Sequence, residues 1–210
     1  MSIVTSPSIK LDVGGVTMAK SLYELDETDY YMANLGLNLA ACKFLGEGRN
    51  GKVFLRPDGK VIKICRTKIN CLKEYSILKK VNGNKYFPRV YKYHSQYMIR
   101  DFVGGICLKN YIKQYGPSRI LGFNIITMLD EFENLGFKRI DTRCKDIFVQ
   151  NDLSLKIIDA KGYFTRNVNY PRHLIKGLDK LGVLSWFKWI IYLERYDLYK
   201  KWIIDNYFAN

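Results

Sequence analysis

The pattern of apolar and polar positions divides this chain into a β-rich first half and a helical second half. Between residues 45 and 63, two β-rich runs flank Arg56-Pro57-Asp58-Gly59. This tetrad is a turn in which Pro presets one backbone angle and Gly tolerates the left-handed one. Segments 87–93 and 96–103 read as two further strands, followed by a hinge-like break at Gly104-Gly105. Residues 70–81 read as a helix, capped by Asn70 and ended by Asn82-Gly83. A short helix covers 108–115. The strongest helical period runs over 117–135, with Ile120, Phe123, Ile126, Leu129 and Phe132 in step. Gly116-Pro117-Ser118 starts that helix and Gly136 stops it. Two short apolar strands then flank a turn at Asn151-Asp152, and residues 171–208 are helical and aromatic. Residues 1–38 form an N-terminal extension, with a short hairpin expected around Gly14-Gly15 and a helix start at 26–29. The expected organisation is therefore α+β: extension 1–38, β-rich lobe 39–103, and reduced helical lobe 104–210. A cleft between such halves is where a ligand is expected.

Candidate chemistry concentrates on that cleft. Gly46, Gly48, Gly51 and Val53 make the pattern G-x-G-x-x-G-x-V within a strand-turn-strand. A dinucleotide-binding loop would open a helix instead. Glycines here let backbone amides approach a polyphosphate, although a hairpin with glycines at bulges is the plainer alternative. Lys63 on the following strand is placed to pair with phosphate oxygens. Glu74, on the 70–81 helix, is placed to orient Lys63, the alternative being a solvent-facing Glu beside Lys73. Asp141, Asp146 and Asp159 flank the two short apolar strands. Carboxylates at strand ends suit Mg²⁺, which takes hard oxygen ligands alongside phosphates.

In this order the motifs resemble the protein-kinase-like superfamily over about residues 39–162. Small bacterial serine/threonine kinases are the most similar in size, and RIO-type atypical kinases are next. The resemblance implies a two-lobed kinase-like fold and an ATP-dependent phosphotransferase of the serine/threonine kinase type. It makes Gly46, Gly48, Gly51 and Val53 the ATP-covering loop, Lys63 the phosphate-holding lysine and Glu74 its partner. Residues 99–103 become the adenine-binding segment, with backbone groups of Asp101 and Val103 offered to the base. Arg100 falls at the back of the adenine pocket. Asp141 becomes the catalytic carboxylate, and Asp146 and Asp159 the ligands of Mg²⁺, or of Mn²⁺ in its place. Lys63→Met is expected to remove phosphate affinity and leave the fold intact.

The pattern departs from the family at several points. Arg139-Ile140 precedes Asp141, Asp146 stands where the family has Asn, and Ala160-Lys161 follows Asp159. No Ala-Pro-Glu motif follows, and little room remains for an activation segment. The acceptor is thus a hydroxyl-bearing or acidic protein, or a small molecule. A pseudokinase, binding nucleotide or serving as a scaffold, is the alternative.

Composition narrows the partners. Lys and Arg number 34 against 20 Asp and Glu, a net charge of +14, which favours polyanions without choosing among them. A nucleic-acid-associated ATPase is a third reading, resting on this charge and on aromatic residues interleaved with Lys188, Arg195, Lys200 and Lys201. Packing of Trp186, Phe187, Trp189, Tyr192, Tyr196, Tyr199, Trp202 and Tyr207 within the helical half is the preferred account of those rings, so nucleic acid is not the expected partner. No run approaches the ~20 apolar residues of a membrane span. Residues 186–193 come nearest and are interrupted by Lys188. No basic start precedes an apolar run, so no secretory leader is expected. Five dispersed cysteines and two histidines argue against zinc and for reduced thiols in a cytoplasm.

Overall fold

The computed structural model describes residues 37–159, 163–164, 167–168 and 170–205. The hairpin expected around Gly14-Gly15, the helix start at 26–29, Ala160-Lys161-Gly162 and Tyr207 lie outside the described residues.

The fold is α+β. A five-stranded antiparallel sheet has the order β1-β2-β3-β5-β4, from β1 (Lys43–Gly48), β2 (Gly51–Leu55), β3 (Lys60–Cys65), β4 (Val90–His94) and β5 (Tyr97–Asp101). Strand β3 is central and almost wholly buried. Its Ile62 and Ile64 pair with Ile99 and Tyr97 on the outer face, which Leu37 and Leu39 cover. Val61 and Lys63 pair with Arg100 and Met98 on the opposite, inward face. Alternation along the pleat thus puts Lys63 and Arg100 on the same side of the sheet.

Helix α1 (Lys68–Lys80) packs near β3, β4 and β5. It begins two residues before the expected start, because Thr67 rather than Asn70 caps it. Thr67 Oγ1 accepts the Asn70 N–H at 3.3 Å, leaving Asn70 inside the first turn. After the sheet comes β6 (Ile106–Cys107), then helices α2 (Leu108–Tyr115) and α3 (Arg119–Asn134). Ser118 caps α3 through its side chain. Of the expected α3 stripe only Ile126, Leu129 and Phe132 are buried, whereas Ile120 is 61% and Phe123 49% exposed. The helix instead turns Leu121, Gly122, Ile125 and Met128 inward as well. A Cβ on Gly122 would stand 3.0 Å from Ile190 and Trp186 side-chain carbons, so the glycine permits close approach of two helices.

Strands β7 (Ile147–Val149) and β8 (Leu155–Ile157) form a hairpin, and β6 adds to its β7 edge. Helices α4 (Arg172–Lys180), α5 (Leu184–Glu194) and α6 (Tyr196–Tyr199) follow, with a π-helical turn at Lys200–Ile204. One core runs from Cys65, Leu78 and Met98 through α3 and the hairpin to Phe187 and Trp202. The tail rings divide. Phe187 and Trp202 are buried, while Trp189, Tyr192 and Tyr196 are more than half exposed. Tyr192 meets Tyr196 and Tyr199 edge-on, at 5.5 and 5.4 Å between centroids. Among the described residues no helix is long and apolar enough to cross a membrane.

Candidate functional site

Sheet and hairpin together line an open cleft of about 1550 Å³. Its walls include Gly46, Gly48, Gly51, Val53, Lys63, Arg100 and Val103 from the first half, and Asp141, Asp146 and Asp159 from the second. Asp101 is not among the lining residues. Its carboxylate accepts from the Arg89 N–H at 3.0 Å and from the Tyr91 hydroxyl at 2.7 Å, pinning β4 to β5.

Lys63 comes from the inward face of β3 and Glu74 from the inward face of α1. Lys63 Nζ lies 2.5 and 2.6 Å from the two Glu74 oxygens, and both side chains are buried. The solvent-facing alternative for Glu74 is excluded, since its exposure is 0%. Both oxygens face one ammonium, so the pair gains charge-assisted hydrogen bonds that a single contact would not supply.

Glycine has a specific reason at position 51. Its φ is +135°, and a Cβ there would run into the Ile64 carbonyl of β3. Nothing lies within 4 Å of a Cβ built at Gly46 or Gly48, which face open space. Between these glycines Asn50 reaches across the cleft, its Nδ2 donating to Asp159 Oδ2 at 3.0 Å. The hairpin tip therefore closes onto one of the acids.

Hairpin register brings two acids together. Ile147 pairs with Ile157, and the Ile158 N–H donates to the Asp146 carbonyl at 3.1 Å. Asp146 thus stands just before the pair and Asp159 just after it, at the open end of the hairpin. Burial pushes the Asp146 carboxyl above its usual range, and the Asp159 charge pushes it further, against the pull of Arg143, Lys145 and Lys63. Asp159 Oδ1 is buried and unpartnered. A buried orphan oxygen beside a second carboxylate is a deficit of positive charge, which fits a divalent cation. Among the described residues no group of three or more His, Cys, Asp or Glu is placed to hold a metal. Two carboxylates suit a Mg²⁺ shared with phosphate oxygens, because that ion keeps several non-protein ligands.

Asp141 is buried, and its neighbours were not legible in the sequence. Its Oδ1 accepts the His173 N–H at 2.7 Å, and its Oδ2 contacts His173 Nδ1. Arg139 and Arg172 stand 3.6 and 3.7 Å from Oδ2. No side chain caps α4 from its own N-cap position, so Asp141 supplies an acceptor to the first turn from 32 residues away. The only local signal was a helix start after Tyr170-Pro171, which places the His173 N–H among the unpaired donors.

Arg100, on the same face of the sheet as Lys63, also lines the cleft and is 5% exposed. Its Nη1 donates to the Asp101 carbonyl at 3.2 Å, and its Nε has no partner. Burial lowers its pKa, while the charges of Glu74 and Asp159 favour its protonated form. The segment 102–105 beside it is braced and is not the free break that two glycines suggest. Gln150 Nε2 donates to the Gly104 carbonyl at 2.9 Å, and at Gly105, φ +82°, a Cβ would run into the Val149 carbonyl.

The five cysteines are free thiols. Cys65 and Cys71 are hydrogen-bonded neighbours, and Cys71 feels the charges of Glu74 and Lys63. This contact and burial push the Cys71 thiol far up. Comparison with protein-family models gives no match, and comparison with curated proteins gives none either.

Proposed function

We propose that this chain is a two-lobed, kinase-like phosphotransferase that uses a Mg²⁺-bound nucleoside triphosphate, ATP being the donor its motifs imply. The observation that carries this reading is the buried Lys63–Glu74 pair on the wall of a cleft that also holds Asp146 and Asp159. Lys63, oriented by Glu74, binds oxygens of the non-transferred phosphates. A divalent cation bound by Asp146 and Asp159 would supply charge neutralisation at the phosphates. Asp141 takes the proton of the acceptor hydroxyl as its oxygen bonds to the terminal phosphorus. The nucleoside diphosphate leaves with the electrons of the broken P–O bond. Catalysis is then mainly positioning and charge stabilisation.

Nucleotide binding without efficient transfer is a second reading. It is favoured by one observation: both oxygens of Asp141 are already engaged by His173. Thermal-shift titration with Mg²⁺-ATP, followed by turnover with acceptor proteins and the chain itself, separates the two. A rise in melting temperature with diphosphate release supports transfer, since a ligand bound only by the native state stabilises it. A rise without release supports the second reading, and no rise with any nucleotide refutes both.

A further inference from the structure

We infer that the base end of this cleft selects purines bearing a 6-oxo group, guanine or hypoxanthine, over adenine, with Arg100 as the specificity-determining residue. The inference rests on the nucleotide-binding reading above.

Arg100 is the last inward-facing side chain of β5 before the 102–105 segment. It shares a face with Lys63, nearer the linker by the register of Val61 with Arg100 and Lys63 with Met98. With phosphates at Lys63, the base lies toward Arg100 and the linker. Every polar hydrogen of a guanidinium is a donor, and the group has no acceptor. Arg100 also occupies the Asp101 carbonyl through Nη1, at 3.2 Å. That carbonyl is a backbone acceptor at the same end of the strand, and the bond from Arg100 takes one of its two lone pairs. Adenine would therefore bring a donor against a donor-only side chain, beside a carbonyl that this side chain already half engages. A 6-oxo purine brings an acceptor, O6, with N7 next to it, and arginine reads that pair of acceptors in guanine. Arg100 Nε is buried without a partner, so a donor remains to be satisfied.

Isothermal titration of the full chain with Mg²⁺-GDP, Mg²⁺-IDP and Mg²⁺-ADP tests this without transfer taking place. The expected result is binding of GDP and IDP about tenfold or more tighter than ADP, the scale of one bidentate base contact. IDP lacks the 2-amino group, so its grouping with GDP assigns the preference to the 6-oxo edge, and its loss in Arg100→Met assigns it to the acceptor O6. Arg100→Met should bring the three within about twofold or reverse the order. Circular dichroism checks that variant's fold, and the wild-type series decides the question without it. ADP binding as tightly as GDP and IDP, and lost in the double variant Lys63→Met/Glu74→Leu, which removes the buried pair as a whole, overturns this inference while leaving the nucleotide site intact. Failure of all three to bind overturns both.

Discussion

Removing the ammonium of Lys63 strands a carboxylate in the interior. Glu74 has 0% exposure, and both its oxygens face Lys63 Nζ at 2.5 and 2.6 Å. Lys63→Met was expected from the sequence to leave the fold intact, but burial of Glu74 makes that untenable. Breaking a buried pair from one side costs about 3–5 kcal/mol, because the remaining charge has lost both water and partner. Arg100 is a second cation whose charge is coupled to Glu74, which places the expected loss near the lower end. About 3 kcal/mol is more than a hundredfold in the folded-to-unfolded ratio. The double variant Lys63→Met/Glu74→Leu should lie within about 1 kcal/mol of wild type, since apolar groups of similar volume replace a buried pair at little cost. Urea unfolding of wild type, both single variants and the double variant gives the coupling energy directly. Losses below about 1 kcal/mol in both single variants, with no coupling between them, would refute the argument. Loss of nucleotide affinity in the double variant, with stability retained, would then report phosphate binding alone.

Three further outcomes are expected. Asp146 is raised above its ordinary value of 3.8, so its contribution to stability is full below that value and is lost as pH rises through the folded value. The gain in melting temperature from millimolar Mg²⁺ or Mn²⁺ should therefore grow between about pH 4 and about pH 7, and shrink in Asp146→Ala; a pH-independent gain would sink the assignment. Asp141→Asn should abolish transfer and spare nucleotide binding, whereas Asp141→Ala should also lower stability by about 1–3 kcal/mol, because the half-buried His173 N–H loses its acceptor; equal unfolding midpoints for the two would contradict the capping role. Gly51→Ala should cost about 1–3 kcal/mol or more in urea, given φ +135° and the Ile64 carbonyl in the path of its Cβ, and a neutral result would mean that β2 shifts freely.

Local chemistry made much of the fold legible. The Arg56-Pro57-Asp58-Gly59 turn and the β-rich runs beside it marked β2 and β3, and Gly116, Ser118 and Gly136 bounded α3. Competing local signals account for the misplacements. Thr67 and Asn70 are both good caps, and only three-dimensional context awarded the position to Thr67. On α3 the spacing that joins Ile120 to Phe132 is helical, yet the buried face is set by Gly122 and its contact with Ile190, a partner 68 residues on in the sequence. Long-range polar contacts were least legible. His173 reads as an isolated histidine until α4 presents its N–H to Asp141, and Asn50 reads as a turn residue until it meets Asp159. Arg100 was legible as a residue in an unusual place, but its bond to the Asp101 carbonyl needed coordinates.

If the cleft holds a nucleotide as proposed, the brace at Gly104 and Gly105 makes it a ruler. The linker is tied to Gln150, β6 is paired to β7 through Ile106 with Val149, and Asp146 leads directly into β7. Linker and acid thus ride on one connected stretch, and the span between them is set by the β6–β7 pairing and the Gln150 side-chain bond. The glycine hairpin belongs to the other sheet and touches this piece at its tip through Asn50. A molecule of the wrong length meets a fixed gauge on one side of the cleft, whatever the hairpin above it does.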